Sequence, residues 1–240
     1  MKVHFIGIGG IGISALAQYY LSKGHDVSGS DLVDSKIIEG LKNKGAIISV
    51  GSNSSENIKD YDLVIHSPAV KESNPEMIEA ERKGIKILSY PQALGELTKE
   101  YTTIAVSGTH GKSTTTAMIS LILIEAGLDP TVIVGTKLKE FGDSNFRIGK
   151  SEYLVIEACE HEASFLNYWP KIIVVTNIEE DHLDFYNNLE NIKKAFNEFV
   201  SHLKDNGILV KTEDTVVNTD KKTINYSLKD REVEQLKKII

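Results

Sequence analysis

Apolar and polar positions in the first part of the chain alternate between two periods. Short apolar runs such as residues 3–6 have the length of buried strands, and segments such as residues 13–22 repeat their apolar positions with a helical period. The same alternation predicts strands in DVSGSD, AIISV, DLVIHS and IKILS, and helices near residues 35–44 and 75–83. Because strands alternate with helices of this size, we predict an α/β domain with a parallel sheet over residues 1–99.

The same organisation starts again at about residue 100. TTIAVS is predicted to be a strand and TTTAMISLILIEAG the helix that follows it, with Gly127 at its C-terminal end. TVIVG, EYLVIEA and KIIVVTN are typical of buried parallel strands, NLENIKKAFNEFVSHL is an amphipathic helix pattern, and DNGILVK is a further strand. Residues 219–240 predict one more strand and a charged terminal helix. We therefore predict a second α/β domain over residues 100–240.

Composition narrows the class of protein. The chain has 240 residues, 41% hydrophobic and 25% charged, with a net charge of −7. These values are typical of globular proteins and argue against a broad nucleic-acid-binding surface. The single cysteine, Cys159, excludes an internal disulfide and is predicted to be a small buried thiol. Neither a signal peptide nor a membrane span is predicted, so we expect a cytoplasmic protein that binds neither nucleic acid nor membrane.

A phosphate-binding loop is predicted in AVSGTHGKSTTT, between a strand and a helix. Backbone N–H groups at the start of a helix face an anion, and the helix dipole favours it. Gly108 and Gly111 permit the tight turns. Lys112 is expected to reach the terminal phosphates, and Ser113 to place its hydroxyl on Mg²⁺. The usual pattern has another glycine five residues before Gly111, where this sequence has Val106.

Candidate metal ligands lie near the same loop. Mg²⁺ on ATP needs oxygen ligands besides the phosphates, and these are expected at the carboxyl ends of parallel strands. Glu157 ends the run EYLVIEA, and Asp181 and His182 follow KIIVVTN by a few residues. His110, inside the loop, either hydrogen-bonds a phosphate or shapes the loop, and the sequence does not choose between these roles.

A second glycine loop lies at the N-terminus. Gly7, Gly9 and Gly12 match G-x-G-x-x-G between a strand and a helix. Asp31 follows at the spacing of the acid that binds a ribose hydroxyl in dinucleotide-binding folds. The motif fits NAD, but any nucleotide diphosphate can use the same loop and acid. With two diphosphate-type sites, the chain resembles an enzyme that consumes ATP on a substrate that itself carries a nucleotide diphosphate.

Six segments together resemble the Mur ligase family. They are HFIGIGGIGISALA, VSGSDL, SPAVKESNPE, AVSGTHGKSTTTAMI, EACE and TNIEEDHLD, in family order from the first residue to about residue 210. The Gly-Thr-His-Gly-Lys loop is specific to this family, whose members also lack glycine at the position of Val106. The resemblance implies a Rossmann-like N-terminal domain followed by a P-loop NTPase-like central domain, here incomplete.

The resemblance also implies a reaction. The members nearest in these segments join L-alanine to UDP-N-acetylmuramate: ATP phosphorylates the lactyl carboxylate, and the amine of L-alanine attacks the acyl phosphate. ATP and Mg²⁺ are therefore the implied cofactors.

The residues implied to contact the UDP-sugar are Gly9, Gly10, Ile11, Gly12, Asp31, Ser67, Pro68 and Ala69. Those implied to contact ATP are Gly108, Thr109, His110, Gly111, Lys112, Ser113 and Thr114. The implied catalytic residues are Lys112, Glu157 and His182, and the implied Mg²⁺ ligands are Ser113, Glu157 and His182.

The sequence departs from the family pattern in two ways. Family members are longer and end in a third domain, and they carry a His-Asn-x-x-Asn motif, whereas no His-Asn pair occurs here. We therefore expect the first two domains of such a ligase, with a separate C-terminal domain or a second copy as partner. Three alternatives stay open: the sibling that adds a whole peptide, a non-catalytic module that binds UDP-sugar or ATP, and an NAD-dependent oxidoreductase.

Overall fold

The computed structural model describes residues 1–227, and the predicted charged terminal helix lies outside them. The described chain forms two β-sheets with helices packed against them, one built from residues before 90 and one from residues after 101. The predicted α/β class is confirmed. The division of the chain at residues 99 and 100 stays a prediction. Within the described residues, no helix is long and apolar enough to cross a membrane.

The first sheet has five strands in the order β3-β2-β1-β4-β5, and every pair is parallel. Its strands are β1 (Lys2–Ile6), β2 (Asp26–Asp31), β3 (Ile47–Val50), β4 (Leu63–His66) and β5 (Lys86–Ser89). Its helices are α1 (Ile11–Ser22), α2 (Lys36–Asn43), α3 (Pro75–Arg82) and α4 (Tyr90–Glu100). The strand order reverses beside β1, so the loops after β1 and β4 diverge there and open a crevice, the usual ligand position in such sheets.

The second sheet has seven strands in the order β12-β11-β10-β6-β9-β7-β8. Its strands are β6 (Thr102–Ser107), β7 (Thr131–Leu138), β8 (Ser144–Arg147), β9 (Tyr153–Glu157), β10 (Ile172–Val175), β11 (Ile208–Thr212) and β12 (Lys222–Tyr226). Its helices are α5 (Lys112–Glu125), α6 (Leu183–Tyr186) and α7 (Leu189–Ser201). Only β7 and β8 pair antiparallel among the described strands. The central strand β6 carries the phosphate loop at its carboxyl end.

Helix α4 and strand β8 were not predicted from the sequence. Helix α4 starts with a capping box in which Ser89 accepts from the Gln92 backbone and the Gln92 side chain accepts from Ser89. That pattern is readable in the sequence as Ser-x-x-Gln. Strand β8, SNFR, is short and mostly polar, and it is ordered by pairing with β7 rather than by its own periodicity.

Strand β8 also joins the two sheets. Asn145 is 3% exposed and donates to the main-chain oxygen of Ile11, the first residue of α1. Gln18 on α1 donates to the Asn145 side chain at 3.3 Å. Beside this contact, the ring of Tyr19 packs edge-on against Phe146. The helix that follows the first glycine loop is therefore held directly by the second sheet.

Candidate active site

The first glycine loop is shaped by the end of strand β2. Gly7 has a φ of 76° and its N–H donates to the main-chain oxygen of Ser30 at 2.9 Å. The N–H of Gly9 donates to Asp31 Oδ2 at 2.8 Å. A Cβ on Gly9 would lie 2.8 Å from the same carboxylate oxygen, so a side chain there would displace Asp31. Asp31 therefore fixes the loop, a role that the sequence analysis did not foresee.

Two adjoining clefts open at this loop. The first has a volume of about 640 Å³ and is lined by the loops after β1, β2 and β4. The second, of about 360 Å³, runs from the start of α1 to the end of β9 in the second sheet. Gly10 and Ser67 line both clefts. The eight residues implied to contact the UDP-sugar all line one cleft or the other, and their contacts with substrate stay a prediction.

A buried carboxylate supports the floor of the first cleft. Glu76, at the start of α3, is fully buried and accepts from His4 Nε2 at 2.9 Å, Ser30 Oγ at 2.7 Å and Asn57 Nδ2 at 2.9 Å. Burial alone would raise the pKa of Glu76, but these hydrogen bonds outweigh it and the pKa is lowered. The network ties β1, β2 and α3 together beneath Asn74, which lines the cleft.

The phosphate loop begins where strand β6 ends, which explains why Val106 replaces the usual glycine. Val106 is fully buried and still lies in the strand, between Val174 of β10 and Glu157 of β9. The turn starts only at Gly108, which has a φ of 133°. A Cβ on Gly108 would overlap the Thr176 hydroxyl, so glycine is required there rather than at Val106.

The loop after β10 holds the phosphate loop in place. Thr109 is 6% exposed, and its hydroxyl accepts from the Glu179 N–H at 2.9 Å. The His110 N–H donates to Asn177 Oδ1 at 2.9 Å, and Thr176 donates to the His110 oxygen at 2.6 Å. The His110 ring is 68% exposed. The backbone of His110 therefore shapes the loop, and a contact between His110 and phosphate stays a prediction.

Lys112 is the first residue of α5. It follows Gly111, which is the N-cap residue of the helix and has a φ of 82°. Its ammonium group donates to the main-chain oxygens of Gly108 at 2.6 Å and Thr109 at 3.1 Å, and to Glu160 Oε1 at 2.9 Å. The next residues, Ser113 and Thr114, lie in the first turn of α5. The predicted ATP-contacting residues therefore form one continuous loop and helix start, and their contacts with ATP stay a prediction.

Glu160 is the site residue that the sequence analysis missed. It is 2% exposed, and its Oε2 atom has no hydrogen-bond partner among the described residues. Ligand atoms of Glu160, Asp181 and His182 lie within 4.8 Å of one another. Two carboxylates and an imidazole beside a phosphate loop fit a divalent cation, and the unpartnered buried oxygen supports that fit. The signal in the sequence is the second acid of the segment EACE, which follows the predicted strand.

Glu157 contacts strand β7 of the second sheet. It is the last residue of β9, accepts from the Gly135 N–H at 2.8 Å and lines the second cleft. The three-residue group described above contains Glu160 and not Glu157. A metal-ligand role for Glu157, as for Ser113, stays a prediction.

The prediction that Cys159 is buried is wrong. The chain leaves the strand after Glu157, so Ala158 is buried and Cys159 is exposed to solvent along the second cleft. The surrounding cleft walls partly desolvate the thiol, and this desolvation raises its pKa. A raised pKa leaves little thiolate at neutral pH and argues against a nucleophilic role.

Both halves of the chain match models of a known protein family. Residues 2–102 match the Mur ligase family catalytic domain, and residues 106–239 match the Mur ligase middle domain. The UDP-N-acetylmuramate–L-alanine ligase of Acetivibrio thermocellus is 50% identical over 213 residues, covering 88% of this chain and 45% of that protein. That of Clostridium tetani is 45% identical over 240 residues, covering 97% of this chain and 52% of that protein.

Solved structures give a similar result. The UDP-N-acetylmuramate-alanine ligase of Thermotoga maritima aligns with a TM-score of 0.79 and 34% identity, covering 90% of this chain and 50% of that one. A murein peptide ligase of Psychrobacter arcticus aligns with a TM-score of 0.78 and 28% identity, covering 90% and 49%. The chain thus spans about half the length of the curated relatives it matches.

Proposed function

Since the chain belongs to the Mur ligase family, we propose that it carries the UDP-sugar and ATP sites of an amide-forming ligase. The proposed reaction joins L-alanine to UDP-N-acetylmuramate in cytoplasmic peptidoglycan precursor synthesis. A carboxylate oxygen of the sugar attacks the terminal phosphorus of ATP, and ADP leaves. The amine of L-alanine then attacks the acyl phosphate, an amide bond forms and phosphate leaves.

One observation carries this proposal. The cleft at the first glycine loop and the cleft that reaches β9 share Gly10 and Ser67. A sugar nucleotide anchored by its diphosphate at the first loop can therefore extend its sugar along the second cleft, toward the segment of the chain that contains Glu160. An oxidoreductase would not need the phosphate loop of the second sheet. The continuity of the clefts favours a substrate that spans both sheets.

The second sheet supplies groups for phosphoryl transfer. Backbone N–H groups at the start of α5 face an incoming phosphate, and Lys112 provides a positive charge for the transferred phosphoryl group. Ser113, Glu157 and His182 would hold Mg²⁺ as the family implies, and the cation would offset negative charge on the phosphates. Glu160 and Asp181 add two carboxylates on the same side of the loop.

The test is phosphate release from the purified 240-residue chain with Mg·ATP and UDP-N-acetylmuramate, with and without L-alanine. Release that depends on both UDP-N-acetylmuramate and L-alanine is the expected result. Calorimetric binding of the sugar nucleotide without phosphate release would support the binding-module alternative instead. Absence of both binding and release would contradict the proposal.

A peptide-adding activity is the second candidate. The structural similarity to the murein peptide ligase of Psychrobacter arcticus favours it to nearly the same degree as alanine addition. The same assay distinguishes the two, with L-alanine replaced by an L-alanyl-γ-D-glutamyl tripeptide. Release with the tripeptide and not with L-alanine would replace the alanine assignment.

A further inference from the structure

The ammonium group of Lys112 is already fully hydrogen-bonded within the protein. Its three hydrogens match three acceptors, the main-chain oxygens of Gly108 and Thr109 and the carboxylate of Glu160. A phosphate that binds Lys112 must therefore displace at least one of these partners. The partner whose loss has the largest electrostatic consequence is Glu160, because it carries a full charge.

Glu160 has few other ways to offset its charge. Its side chain is 3% exposed, and Oε2 has no hydrogen-bond partner among the described residues. His182 Nε2 lies 3.9 Å from Oε1, beyond hydrogen-bond distance. When Lys112 turns toward a phosphate, Glu160 becomes a buried carboxylate without a close cation, which is unfavourable.

The main chain prevents Glu160 from relieving this cost by moving to solvent. The Tyr186 hydroxyl donates to the Glu160 main-chain oxygen. The next turn contains Glu162 and Ala163, both with φ near +50°, a conformation that only a tightly determined backbone maintains. Glu160 therefore stays beside the loop, and the compensating positive charge must come to it.

We propose that Glu160 is a positioning residue that couples nucleotide binding to the accompanying divalent cation. Without nucleotide, Glu160 holds Lys112. With nucleotide, Lys112 turns to the phosphate, and the cation replaces it beside Glu160, Asp181 and His182. This inference rests on the proposed ATP site and adds a role that the implied ligand set does not contain.

The first test compares ATP affinity in excess Mg²⁺ and in EDTA by calorimetry. In the unaltered chain, removal of Mg²⁺ is expected to weaken ATP binding roughly thirtyfold or more, within the usual range of coupling between ligands. In Glu160→Gln, the loss is expected to fall to about threefold, because the buried charge that requires the cation is gone. Glu160→Asp keeps the charge and should keep the Mg²⁺ dependence.

Glu179→Gln is the matched control. Glu179 lies near the same loop, 3.9 Å from the exposed His110 ring, but is 62% exposed and screened by water. Its neutralisation should leave the Mg²⁺ dependence unchanged. Equal Mg²⁺ dependence in Glu160→Gln and the unaltered chain would overturn the inference.

A second variant tests the inference without ATP. Lys112→Met removes the cation that occupies Glu160, so Mn²⁺ alone should bind this variant about tenfold more tightly than the unaltered chain, measured by electron paramagnetic resonance. Equal Mn²⁺ affinity of Lys112→Met and the unaltered chain would overturn the inference. This test does not depend on whether Glu160→Gln folds. Failure of the unaltered chain to bind ATP in any condition would instead contradict the proposed ATP site.

Discussion

The glycine loop after β1 and the phosphate loop after β6 each follow the central strand of a sheet and precede a helix, but different groups hold them. A carboxylate holds the first loop, because Asp31 accepts from the Gly9 N–H. In the second loop, the neutral side chains of Thr176 and Asn177 bind the His110 backbone, and the ammonium group of Lys112 binds main-chain oxygens. The second loop also carries a lysine with a buried counter-charge, and the first loop contains no lysine or arginine.

The two loops are therefore suited to different tasks, the first to holding a diphosphate and the second to phosphoryl transfer. The first loop offers backbone N–H groups without a cationic side chain, which is enough to hold a diphosphate in place. The second adds a positive charge, which stabilises a phosphoryl group while its charge shifts during transfer. We infer that the first sheet holds the substrate and the second sheet activates it.

The largest expected effect comes from breaking the charge pair of the second loop. Lys112→Met leaves Glu160 buried and without its close cation, and we expect a loss of roughly 3–5 kcal/mol in the free energy of unfolding without Mg²⁺. The double variant Lys112→Met/Glu160→Gln should recover most of this loss. Urea unfolding measures all three chains. Lys99→Met breaks the exposed pair with Glu96 and should cost far less; equal losses at both sites would contradict the account.

A smaller effect is expected from a substitution that distorts the same loop without changing its charge. Gly108 has a φ of 133°, and in Gly108→Ala the added Cβ would overlap the Thr176 hydroxyl. We therefore expect the free energy of unfolding to fall by roughly 3 kcal/mol and ATP binding to be largely lost. Gly142→Ala is the matched control, because it has a φ of 70° but no atom within 4 Å of the added Cβ. Binding of UDP-N-acetylmuramate to folded Gly108→Ala should persist, and its loss would show that the loops are not independent.

In the first sheet, the contribution of Glu76 to stability should depend on pH in the acid range. The hydrogen bonds from His4, Asn57 and Ser30 lower the pKa of Glu76 in the folded chain despite its burial. Its contribution to stability is therefore present above the unfolded pKa of about 4.5 and is lost as pH falls through the lower folded value. Glu76→Gln should lower the free energy of unfolding by about 2 kcal/mol at pH 7. The free energy of unfolding of this variant should also depend less on pH in the acid range.

Unfolding curves between pH 7 and pH 3 provide the measurement for Glu76. Glu81→Gln, on the same helix but exposed, is the control and should follow the unaltered chain. An unchanged acid dependence in Glu76→Gln would show that the buried network does not support the first cleft.

The smallest effect concerns the anchor of the first loop. Asp31→Asn keeps an oxygen that can accept from the Gly9 N–H, so affinity for UDP-N-acetylmuramate should change less than about threefold. Asp31→Ala removes the acceptor and should weaken binding by about tenfold. Calorimetric titration of the three chains measures this difference. Equal affinities for Asn and Ala would show that the Asp31 contact does not order the loop.

Much of the fold was predictable from the sequence because the strands that surround each loop are buried on both faces. Apolar runs such as KIIVVTN and glycine loops at strand ends marked the sheets and both candidate nucleotide sites, and the fold class is confirmed. Strand β8 was missed because its order comes from pairing with β7 and not from its own residues. Tertiary contacts rather than local pattern decide such short polar strands.

The details of the active site were less predictable where the chain leaves regular structure. After Glu157 the alternation of a strand no longer applies, so the pattern could not tell that Cys159 would be exposed and Glu160 buried. Asp31 was predicted to contact the substrate, which stays a prediction, and the structure adds a contact with the Gly9 N–H that the sequence did not indicate. A sequence gives the spacing of such an acid and not the atom that it meets.

We propose that one chain holds two different nucleotides, one at each loop. A calorimetric titration tests it most directly: the unaltered chain is saturated with UDP-N-acetylmuramate and then titrated with Mg·ATP in the same cell. We predict one binding event for each ligand, with a stoichiometry of one each and no displacement of the first ligand by the second. Competition between the two nucleotides for a single site would contradict the account.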